Sequence, residues 1–398
     1  MPSVGSMLEL IGDLGSSMVT VHQDRCVLVR NRNADCLRCA QACTSGCISY
    51  DGTRLEVSPE RCIGCGTCAT VCPTCALEAH HPNDAALLAR CRQAAEESQG
   101  VVCVACAELL ERAQGLFDED KLVRVECLGR VDESLLSTLA AEGIREVVLA
   151  HGSCETCNHA TGYDVCKRVC ATQRALLDAW HSPMKLRLTR KLPTVVQSSG
   201  RAYDMSKRSS LKLCGAEGMR MGAAIADLAV RDALQDGREP GTGDAAPRYV
   251  KVMDDGTLPH FLPDRRERLL DALAAIGDPE DVMIDTRLWG HVIIDTDICT
   301  SCRMCATFCP TGALSKFQDE NGSFGVEHYP GDCVKCRTCE VICPAGALSI
   351  SEEVFAVDML AGVTDRYKMK PVGVKRGDAH TIWHVAQTMM KTDQVYER

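Results

Sequence analysis

CTSCRMCATFCPTGAL, residues 299–314, recurs as CVKCRTCEVICPAGAL at residues 333–348. Both runs have the spacing Cys-x2-Cys-x2-Cys-x3-Cys-Pro. Three thiolates at this spacing wrap one face of a 4Fe-4S cluster, whereas the fourth lies too far along the chain and binds the neighbouring cluster. Zinc sites instead favour two separate Cys-x2-Cys pairs. The repeat therefore predicts two clusters that exchange their fourth ligands.

This exchange divides the cysteines of the two runs into two ligand sets. The sets are Cys299, Cys302, Cys305 and Cys343, and Cys333, Cys336, Cys339 and Cys309. Pro310 and Pro344 turn the chain out of each site. With these motifs, residues 291–351 resemble the bacterial dicluster ferredoxin domain. The resemblance implies a ferredoxin-like fold that holds two 4Fe-4S clusters.

A second double run lies near the N-terminus, and its first half is irregular. CIGCGTCATVCPTCAL at residues 62–77 has the full spacing, but DCLRCAQACTSGCISY at residues 35–50 does not. Alignment of the run ends makes Cys43 a fourth ligand and places the first ligand at Asn33, which cannot replace a thiolate. We predict that Cys26 takes this position, because a longer surface loop costs little closure entropy. Cys47 is the rival candidate.

The alignment predicts two further 4Fe-4S clusters in the N-terminal region. Their ligand sets are Cys26, Cys36, Cys39 and Cys72, and Cys62, Cys65, Cys68 and Cys43. Cys75 replaces the glycine that follows the proline in the C-terminal runs. We expect its thiol to lie beside a cluster without binding iron.

Residues 83–182 alternate between predicted helices and strands. A helix capped by Asn83 precedes the strand VVCV, a helix from about Ala107 precedes KLVRVE, and a helix capped by Asp132 precedes EVVLA. This alternation predicts a three-layer domain with a parallel sheet. Sites in such sheets form beyond the carboxyl ends of the strands. The rule brings together five thiols, four of which would bind a cluster: Cys103, Cys106, Cys127, Cys154 and Cys157.

The motifs CVAC, VECLGRVDESLL and HGSCETCNHATG, over about residues 100–180, resemble the delta subunit of methyl-viologen-reducing hydrogenase. The resemblance implies a 2Fe-2S cluster on these thiols, although four thiolates fit a 4Fe-4S cluster equally well. It also implies electron transfer between a hydrogenase or formate dehydrogenase and a flavin-containing subunit of the heterodisulfide-reductase type. Cys166 and Cys170, one helical turn apart, are either packing residues or further ligands.

Composition restricts the compartment and the partners of this chain. It has 398 residues, 27 cysteines and a formal net charge of −10. The first residues lack the basic and apolar segments of an export signal, and no apolar run is long enough to span a membrane. We expect a cytoplasmic protein whose clustered thiols bind metal. The negative charge disfavours nucleic acid, since phosphate binding depends on Lys and Arg.

The predicted fold class is α+β, with two dicluster ferredoxin-like domains and a central α/β domain that has a parallel sheet. The predicted divisions are an N-terminal ferredoxin-like domain at 1–82, the α/β iron-sulfur domain at 83–182, a linker and helical segment at 183–290, a C-terminal ferredoxin domain at 291–352, and a partner-binding tail at 353–398. The order along the chain places the α/β domain between the other two. The linker helix PDRRERLLDALAAIG is expected to have a solvated charged face, with a role in holding the two cluster halves together as the alternative. DAHTIWHVAQTMMK is expected to form an amphipathic tail helix that either binds a partner surface or docks onto this chain.

These features predict an electron-transfer subunit with four 4Fe-4S clusters and one further iron-sulfur cluster. Nothing in the chain resembles a flavin, nicotinamide, haem or pterin site, so we expect catalysis to belong to partner subunits of an anaerobic oxidoreductase complex. The candidate partners are formate dehydrogenase or another molybdopterin enzyme, a hydrogenase, and a heterodisulfide-reductase-like flavoprotein. The alternative is an iron-sulfur enzyme that reduces a disulfide-type acceptor at the central cluster.

Overall fold

The computed structural model describes residues 18–31, 33–198, 250–251, 258–362, 365–370 and 396–397. The features below belong to the compact unit formed by Met18–Gln197 and Pro247–Arg398. The tail helix predicted at residues 378–391 lies outside the described residues. Within the described ranges, no helix combines the length and the apolar character that crossing a bilayer requires.

The N-terminal domain is built from very short helices and strands around its cysteines. The elements are β1 (Val19–Val21), α1 (Val27–Arg30), α2 (Arg38–Gln41), β2 (Ile48–Tyr50), β3 (Leu55–Val57), α3 (Thr67–Val71) and β4 (Leu77–Ala79). The strands pair antiparallel, β1 with β4 and β2 with β3. Leu55 and Leu77 are fully buried, but much of the surrounding core consists of cysteines. Elements of this length bury little apolar area by themselves, so metal ligation has to contribute to their stability.

The central domain contains the predicted parallel sheet. Its elements are α4 (Asp84–Glu97), β5 (Val101–Cys106), α5 (Ala107–Arg112), β6 (Leu122–Val125), α6 (Glu133–Ala141), β7 (Glu146–Ala150), α7 (Ala160–Ala179) and β8 (Lys185–Thr189). All neighbouring strands are parallel, in the order β6-β5-β7-β8. Asn83 and Asp132 cap α4 and α6 by accepting hydrogen bonds from the N–H groups of Ala86 (2.8 Å) and Leu135 (3.0 Å), which confirms both predicted caps.

Strand β8 extends the sheet into the segment that the sequence assigned to a linker. Leu186 and Leu188 alternate with polar residues along this strand, a pattern typical of a strand with one buried face. Residues 185–189 therefore belong to the α/β domain, beyond the predicted boundary at 182. The period-two signal was present in the sequence, but only two apolar residues carry it.

The two faces of the sheet are covered differently. Val102, Val104 and Leu149 face a large apolar core formed with α4, α6 and α7. Ala105 and Ala150 face a smaller cluster formed with α5 and residues 192–196. The predicted three layers are thus present, with the long helices on one side and a short helix and a loop on the other.

The C-terminal domain repeats the ferredoxin-like arrangement and adds strands at its edges. The remaining elements are β9 (Val250–Lys251), α8 (Asp264–Ile276), β10 (Met283–Asp285), β11 (His291–Ile294), α9 (Met304–Phe308), β12 (Leu314–Gln318), β13 (Phe324–His328), α10 (Thr338–Ile342), β14 (Leu348–Ser351), β15 (Glu353–Phe355), β16 (Asp365–Lys368) and β17 (Tyr396–Glu397). Strand β11 pairs with β14, β12 with β13, β13 with β16, and β10 with β15, all antiparallel, whereas β9 and β17 are parallel. Strands β15 and β16 therefore pair within the chain, at the start of the segment predicted as a partner-binding tail.

Helix α8 packs between domains through its arginine side, while Asp264, Glu267 and Asp271 form the predicted solvated charged face on its exposed side. Arg265 lies with its Nε 3.0 Å from Asp84 Oδ2 and 3.2 Å from Asp132 Oδ2, both in the α/β domain. Arg266 donates hydrogen bonds to the carbonyls of Leu288 (2.5 Å) and Cys333 (3.2 Å) in the C-terminal region. The apolar side of α8 packs in a core with Leu176, Trp180 and Trp289. Its basic residues satisfy buried partners instead of facing water.

The two ferredoxin-like domains contact each other directly. The Arg38 guanidinium donates a 2.8 Å hydrogen bond to the carbonyl of Lys335. Met304, Phe308 and Ile342 of the C-terminal domain share one apolar cluster with the N-terminal core. The spatial order therefore differs from the order expected from the chain, in which the α/β domain separated these two domains.

Candidate iron-sulfur sites

Five groups of four cysteines come together among the described residues, and we name them sites A to E. Site A is Cys106, Cys127, Cys154 and Cys157; site B is Cys43, Cys62, Cys65 and Cys68; site C is Cys26, Cys36, Cys39 and Cys72; site D is Cys309, Cys333, Cys336 and Cys339; site E is Cys299, Cys302, Cys305 and Cys343. Within each group, burial and then the charges of neighbouring thiolates raise the pKa of one or more members. Such mutual effects require the sulfur atoms to lie close together.

Sites D and E have the exchanged arrangement that the spacing predicts. Burial, and then Cys302, Cys299 and Cys343, raise the pKa of Cys305 to about 12. Burial likewise raises the pKa of Cys339, and the charges of Cys336, Cys333 and Cys309 raise it further. Cys309 and Cys343 have thus crossed to the site of the other run.

A common backbone turn aims the three thiols of each regular run at one point. The residues on both sides of the second cysteine have left-handed φ angles: +66° and +71° at Gly64 and Gly66, +59° and +54° at Ser301 and Arg303, and +49° and +63° at Lys335 and Arg337. Residues with a Cβ atom rarely adopt this backbone conformation, whereas glycine adopts it without strain. Four non-glycine residues held there indicate that the ligand geometry dominates the local preference.

Cys26 lies in site C and has the backbone geometry of a first ligand. It ends a short 3-10 turn with φ −74° and ψ 122°, as Cys62 does with −74° and 123° and Cys333 with −71° and 120°. Burial, and then the charges of Cys72 and Cys36, raise its pKa to about 12, against hydrogen bonds from backbone N–H groups that lower it.

Residues 27–31, the first part of the insertion between Cys26 and Cys36, are buried and do not form the surface loop that the sequence suggested. Helix α1 follows Cys26 directly, and all four of its residues are buried, as is Asn31. The run VLVR is apolar at three of four positions, which is the signal that sequence reasoning overlooked. The insertion thus contributes core to a small domain.

Cys47 lies beside site B. Its Sγ is 3.4 Å from Cys43 Sγ, and burial, together with the charges of Cys43 and Cys62, raises its pKa to about 12. Cys75 adopts φ +50°, where the other runs have Gly46, Gly312 or Gly346 with positive φ. Burial raises the pKa of Cys75 to about 11, against the opposing charge of Arg265, and the charge of Cys72 also raises it. Its position beside site C agrees with a thiol that neighbours a cluster.

These placements lead to a prediction on the irregular run. Cys26→Ala should lose the cluster of site C, about four irons per chain, whereas Cys47→Ala should lose none, because four other thiols complete site B. Iron analysis and electron paramagnetic resonance of anaerobically purified variants measure this. Cys91→Ala, which removes a fully buried thiol from the α/β core, is the matched control. Loss of a cluster from Cys47→Ala with full occupancy in Cys26→Ala would show that Cys47 supplies the missing ligand.

Site A forms at the carboxyl ends of three parallel strands. Cys106 ends β5, Cys127 follows β6, and Cys154 and Cys157 lie on the 3-10 turn after β7. Burial raises the pKa of Cys127 to about 12, and the charges of Cys65, Cys106 and Cys157 add to this effect. The helix after the site approaches closely, since a Cβ on Gly162 would lie 2.3 Å from Cys127 Sγ.

Cys103, the fifth candidate for this site, lies elsewhere. Strand β5 runs to Cys106, two residues beyond the predicted VVCV, so Cys103 and Cys106 lie on the same strand. Because alternate residues of a strand point to opposite faces, the thiols of Cys103 and Cys106 are on opposite sides of the sheet. Cys103 packs in the small cluster with Ala105 and Val196, and burial alone, without a neighbouring thiol, raises its pKa to about 12.

Cys166 and Cys170 lie in the core behind site A. They are 0% and 1% exposed. A hydrogen bond with Cys170, and then burial, raise the pKa of Cys166, and the charges of Cys127 and Cys154 add to the effect. The pair is therefore packed against the sheet and adjacent to the site.

The donor sets fit iron-sulfur clusters, because backbone N–H groups point at the sulfur atoms. Such hydrogen bonds stabilise thiolates and tune cluster potentials. The N–H of Ala76 lies 3.2 Å from Cys72 Sγ, and that of Ala347 lies 3.3 Å from Cys343 Sγ. At site A, Cys106, Cys127 and Cys157 each accept such a bond at 3.4 Å from Gly152, Gly129 and His159.

Two histidines beside site A were missed by sequence reasoning. His151 Nδ1 is 3.6 Å from Cys154 Sγ, and His159 Nδ1 is 3.7 Å from Cys157 Sγ. Burial lowers the pKa of His159, which favours a neutral ring. The signal was in the motif HGSCETCNH, where a histidine flanks the cysteine pair on each side.

Sites A, B and C adjoin one another in that order. The charge of Cys65 in site B is a cause of the raised pKa of Cys127 in site A. The charge of Cys39 in site C similarly raises the pKa of Cys68 in site B, after burial and Cys65. The central site thus lies next to the N-terminal domain.

Sites C, D and E continue this order. Arg38, next to Cys39 of site C, contacts the carbonyl of Lys335, next to Cys336 of site D. The charge of Cys305 in site E is a further cause of the raised pKa of Cys339 in site D. The five thiol groups therefore adjoin in the order A, B, C, D and E, with the α/β domain at one end.

Comparison with known proteins supports two separate regions of the chain, one in each ferredoxin-like domain, as iron-sulfur regions. Residues 294–347, which contain all of sites D and E, match the 4Fe-4S dicluster domain, and residues 55–78 match the 4Fe-4S binding domain. Both matched regions are 4Fe-4S binding domains. Electron transport protein HydN of Escherichia coli strain K12 is 50% identical over 40 residues, which is 10% of this chain and 23% of that protein. HydN of strain O157:H7 matches to the same extent, so the chain spans less than a quarter of these relatives. No solved structure matches the chain significantly.

Proposed function

We propose that this chain is an electron-transfer protein with an iron-sulfur cluster at each of sites A to E. Sites B to E would hold 4Fe-4S clusters, and site A would hold a cluster of the 2Fe-2S type. Each cluster, when bound, takes up and releases one electron. The observation that carries this proposal is the continuous order of five adjoining thiol groups.

The residues of the chain perform four tasks in this proposal. Thiolates of the cysteines hold the clusters, and backbone N–H groups such as those of Ala76 and Ala347 stabilise the ligating sulfur atoms. Apolar residues between the domains, among them Phe308 and Ile342, exclude water from the contact between sites C and D. The interdomain hydrogen bond of Arg38 fixes the separation of these two sites.

The two ends of the series identify where redox partners would act. Partly exposed cysteines occur in all five sites, Cys154 and Cys299 among them, so it is the end positions of sites A and E in the series that favour them. We propose one partner at each end, both of them catalytic subunits of an oxidoreductase complex. The resemblance of the central domain favours a hydrogenase, a formate dehydrogenase or a heterodisulfide-reductase-like flavoprotein for these roles.

Metal and sulfide analysis of the anaerobically purified protein tests this function. We expect about sixteen irons from sites B to E and about two to four more from site A, with matching acid-labile sulfide. Reductive titration should reduce all sites without turnover of a substrate. Zinc bound by sulfur in place of iron would refute the proposal, because the thiols would then be structural.

The alternative, an enzyme that reduces a disulfide-type acceptor at site A, has one observation in its favour. Cys166 and Cys170 form a hydrogen-bonded pair of thiols next to Cys127 and Cys154. However, both are almost completely buried, so an external acceptor has no access to them. Reduction of a small disulfide by the isolated protein with an artificial donor would favour the enzyme, and we expect no such activity.

A further inference from the structure

Three side chains outside the cysteine sites converge at the edge of the C-terminal domain. They are His291 on β11, His328 on β13 and Asp365 on β16, and His328 and Asp365 are directly paired across the two strands. Asp365 Oδ2 lies 3.5 Å from His291 Nε2 and 3.7 Å from His328 Nδ1. One ligand atom from each residue lies within 4.8 Å of the other two.

His328 is the member of this group that needs a partner. Its side chain is 0% exposed, and neither ring nitrogen has a hydrogen-bond partner in the part of the chain that the structure describes. Buried polar groups are normally satisfied, and an orphaned one calls for an explanation such as a bound ion. Burial, and then the charge of His291, lower the pKa of His328 to about 3, so the ring is neutral and offers a lone pair.

We propose that His291, His328 and Asp365 bind one divalent transition-metal ion of the zinc class. Ligand bonds of about 2.0–2.1 Å in a tetrahedral site separate neighbouring ligand atoms by about 3.4 Å. The two distances from Asp365, 3.5 and 3.7 Å, are close to this separation. Two imidazoles and one carboxylate suit zinc better than calcium or magnesium, which prefer oxygen ligands alone.

The three protein ligands leave a fourth position for water or an external group. Asp358 lies nearby, since burial and then the charge of Asp365 raise the pKa of its carboxyl group. A bound cation would offset the negative charge of these two carboxylates. It would also join β16 to β11, two strands of different sheets that already share a 2.7 Å hydrogen bond from the Tyr367 hydroxyl to the Val292 carbonyl.

Zinc binding to the full-length, iron-loaded protein tests this site. The protein is incubated anaerobically with Zn²⁺ alone, freed of unbound metal and analysed for zinc and iron, and its zinc K-edge absorption is recorded. We expect about one zinc per chain, with nitrogen and oxygen ligands at about 2.0–2.1 Å and no sulfur at about 2.3 Å. Loaded cysteine sites remain occupied by iron, so the absorption edge distinguishes the two kinds of ligand.

Asp365→Asn and His291→Gln should each weaken zinc binding at least about tenfold, as expected when a ligand is lost. Both positions are partly exposed, so these changes avoid replacing the buried His328. His181→Ala is the matched control, because His181 pairs with Glu280 at 2.9 Å outside this group. Absence of zinc from the iron-loaded protein, sulfur ligation, or unchanged binding in Asp365→Asn would each overturn the proposal. Iron content measured in the same samples keeps this result separate from the electron-transfer function.

Discussion

Removal of iron should unfold both ferredoxin-like domains while much of the central sheet persists. The ferredoxin-like cores consist of strands of two to five residues and many cysteines, whereas Val102, Val104 and Leu149 of the central sheet are 0% exposed in a large apolar core. Metal ligation supplies on the order of 10 kcal/mol of folding free energy in small metal-dependent domains, so its loss exceeds their margin of stability. Hydrogen exchange followed by mass spectrometry, with and without an iron chelator, measures this difference.

In the chelated protein, we expect peptides from β2–β3 and β12–β13 to exchange like an unfolded chain, while peptides from β5 and β7 stay protected. The central sheet is the internal control, because it is in the same molecule. Addition of iron and sulfide should restore protection to the ferredoxin-like peptides. Native protection of β2–β3 without iron would mean that the apolar residues alone stabilise this domain.

Cys127→Ser should abolish the cluster signal of site A while sites B to E stay reducible by dithionite. Cys127 is the one cysteine between β6 and α6, so no thiol of its own loop can replace it, whereas Cys154 and Cys157 are a pair. Because site A lies at one end of the series, its loss should block electron transfer between site B and the redox partner that is proposed to act at site A. Electron paramagnetic resonance, iron content and turnover of the native complex measure these effects, and we expect turnover to fall by about two orders of magnitude or more.

Cys91→Ser is the control for this variant, because it removes a buried thiol from α4 without touching site A. An unchanged central signal in Cys127→Ser would assign the ligands to other thiols, of which Cys166 and Cys170 are the nearest candidates. Normal turnover of the complex without the signal would make site A a side branch, and would favour a regulatory or catalytic role for it.

Local spacing predicted the parts of the structure that depend on a few adjacent residues. The exchange of Cys309 and Cys343 follows from the length of the runs, and the caps at Asn83 and Asp132 follow from side chains that accept a hydrogen bond three residues ahead. The carboxyl-end rule likewise brought Cys106 and Cys127 together from separate strands. Each of these features follows from a local spacing or from the general geometry of a parallel sheet.

The features that sequence reasoning missed depend on contacts between distant residues. Strand β5 extends two residues beyond the predicted VVCV and so includes Cys106, and the odd spacing from Cys106 places Cys103 on the face away from site A. Strand ends are poorly marked in apolar sequence. The burial of Arg265 follows from Asp84, which is 181 residues away. The contact that places site C next to site D joins Arg38 to Lys335, which are 297 residues apart. No spacing within a run carries this information.

Helix α8 has a kinetic consequence for the proposed electron transfer. Electron tunnelling between redox centres slows exponentially with their separation, so small domain motions change its rate strongly. Arg265 reaches the Ala69 carbonyl at 2.5 Å, in the helix that carries Cys68, and the adjacent Arg266 reaches the carbonyl of Cys333. Two consecutive side chains thus hold both ferredoxin-like domains from one rigid helix. Together with the hydrogen bond of Arg38, these contacts of α8 would limit how much thermal motion changes the tunnelling rate across the domain contact.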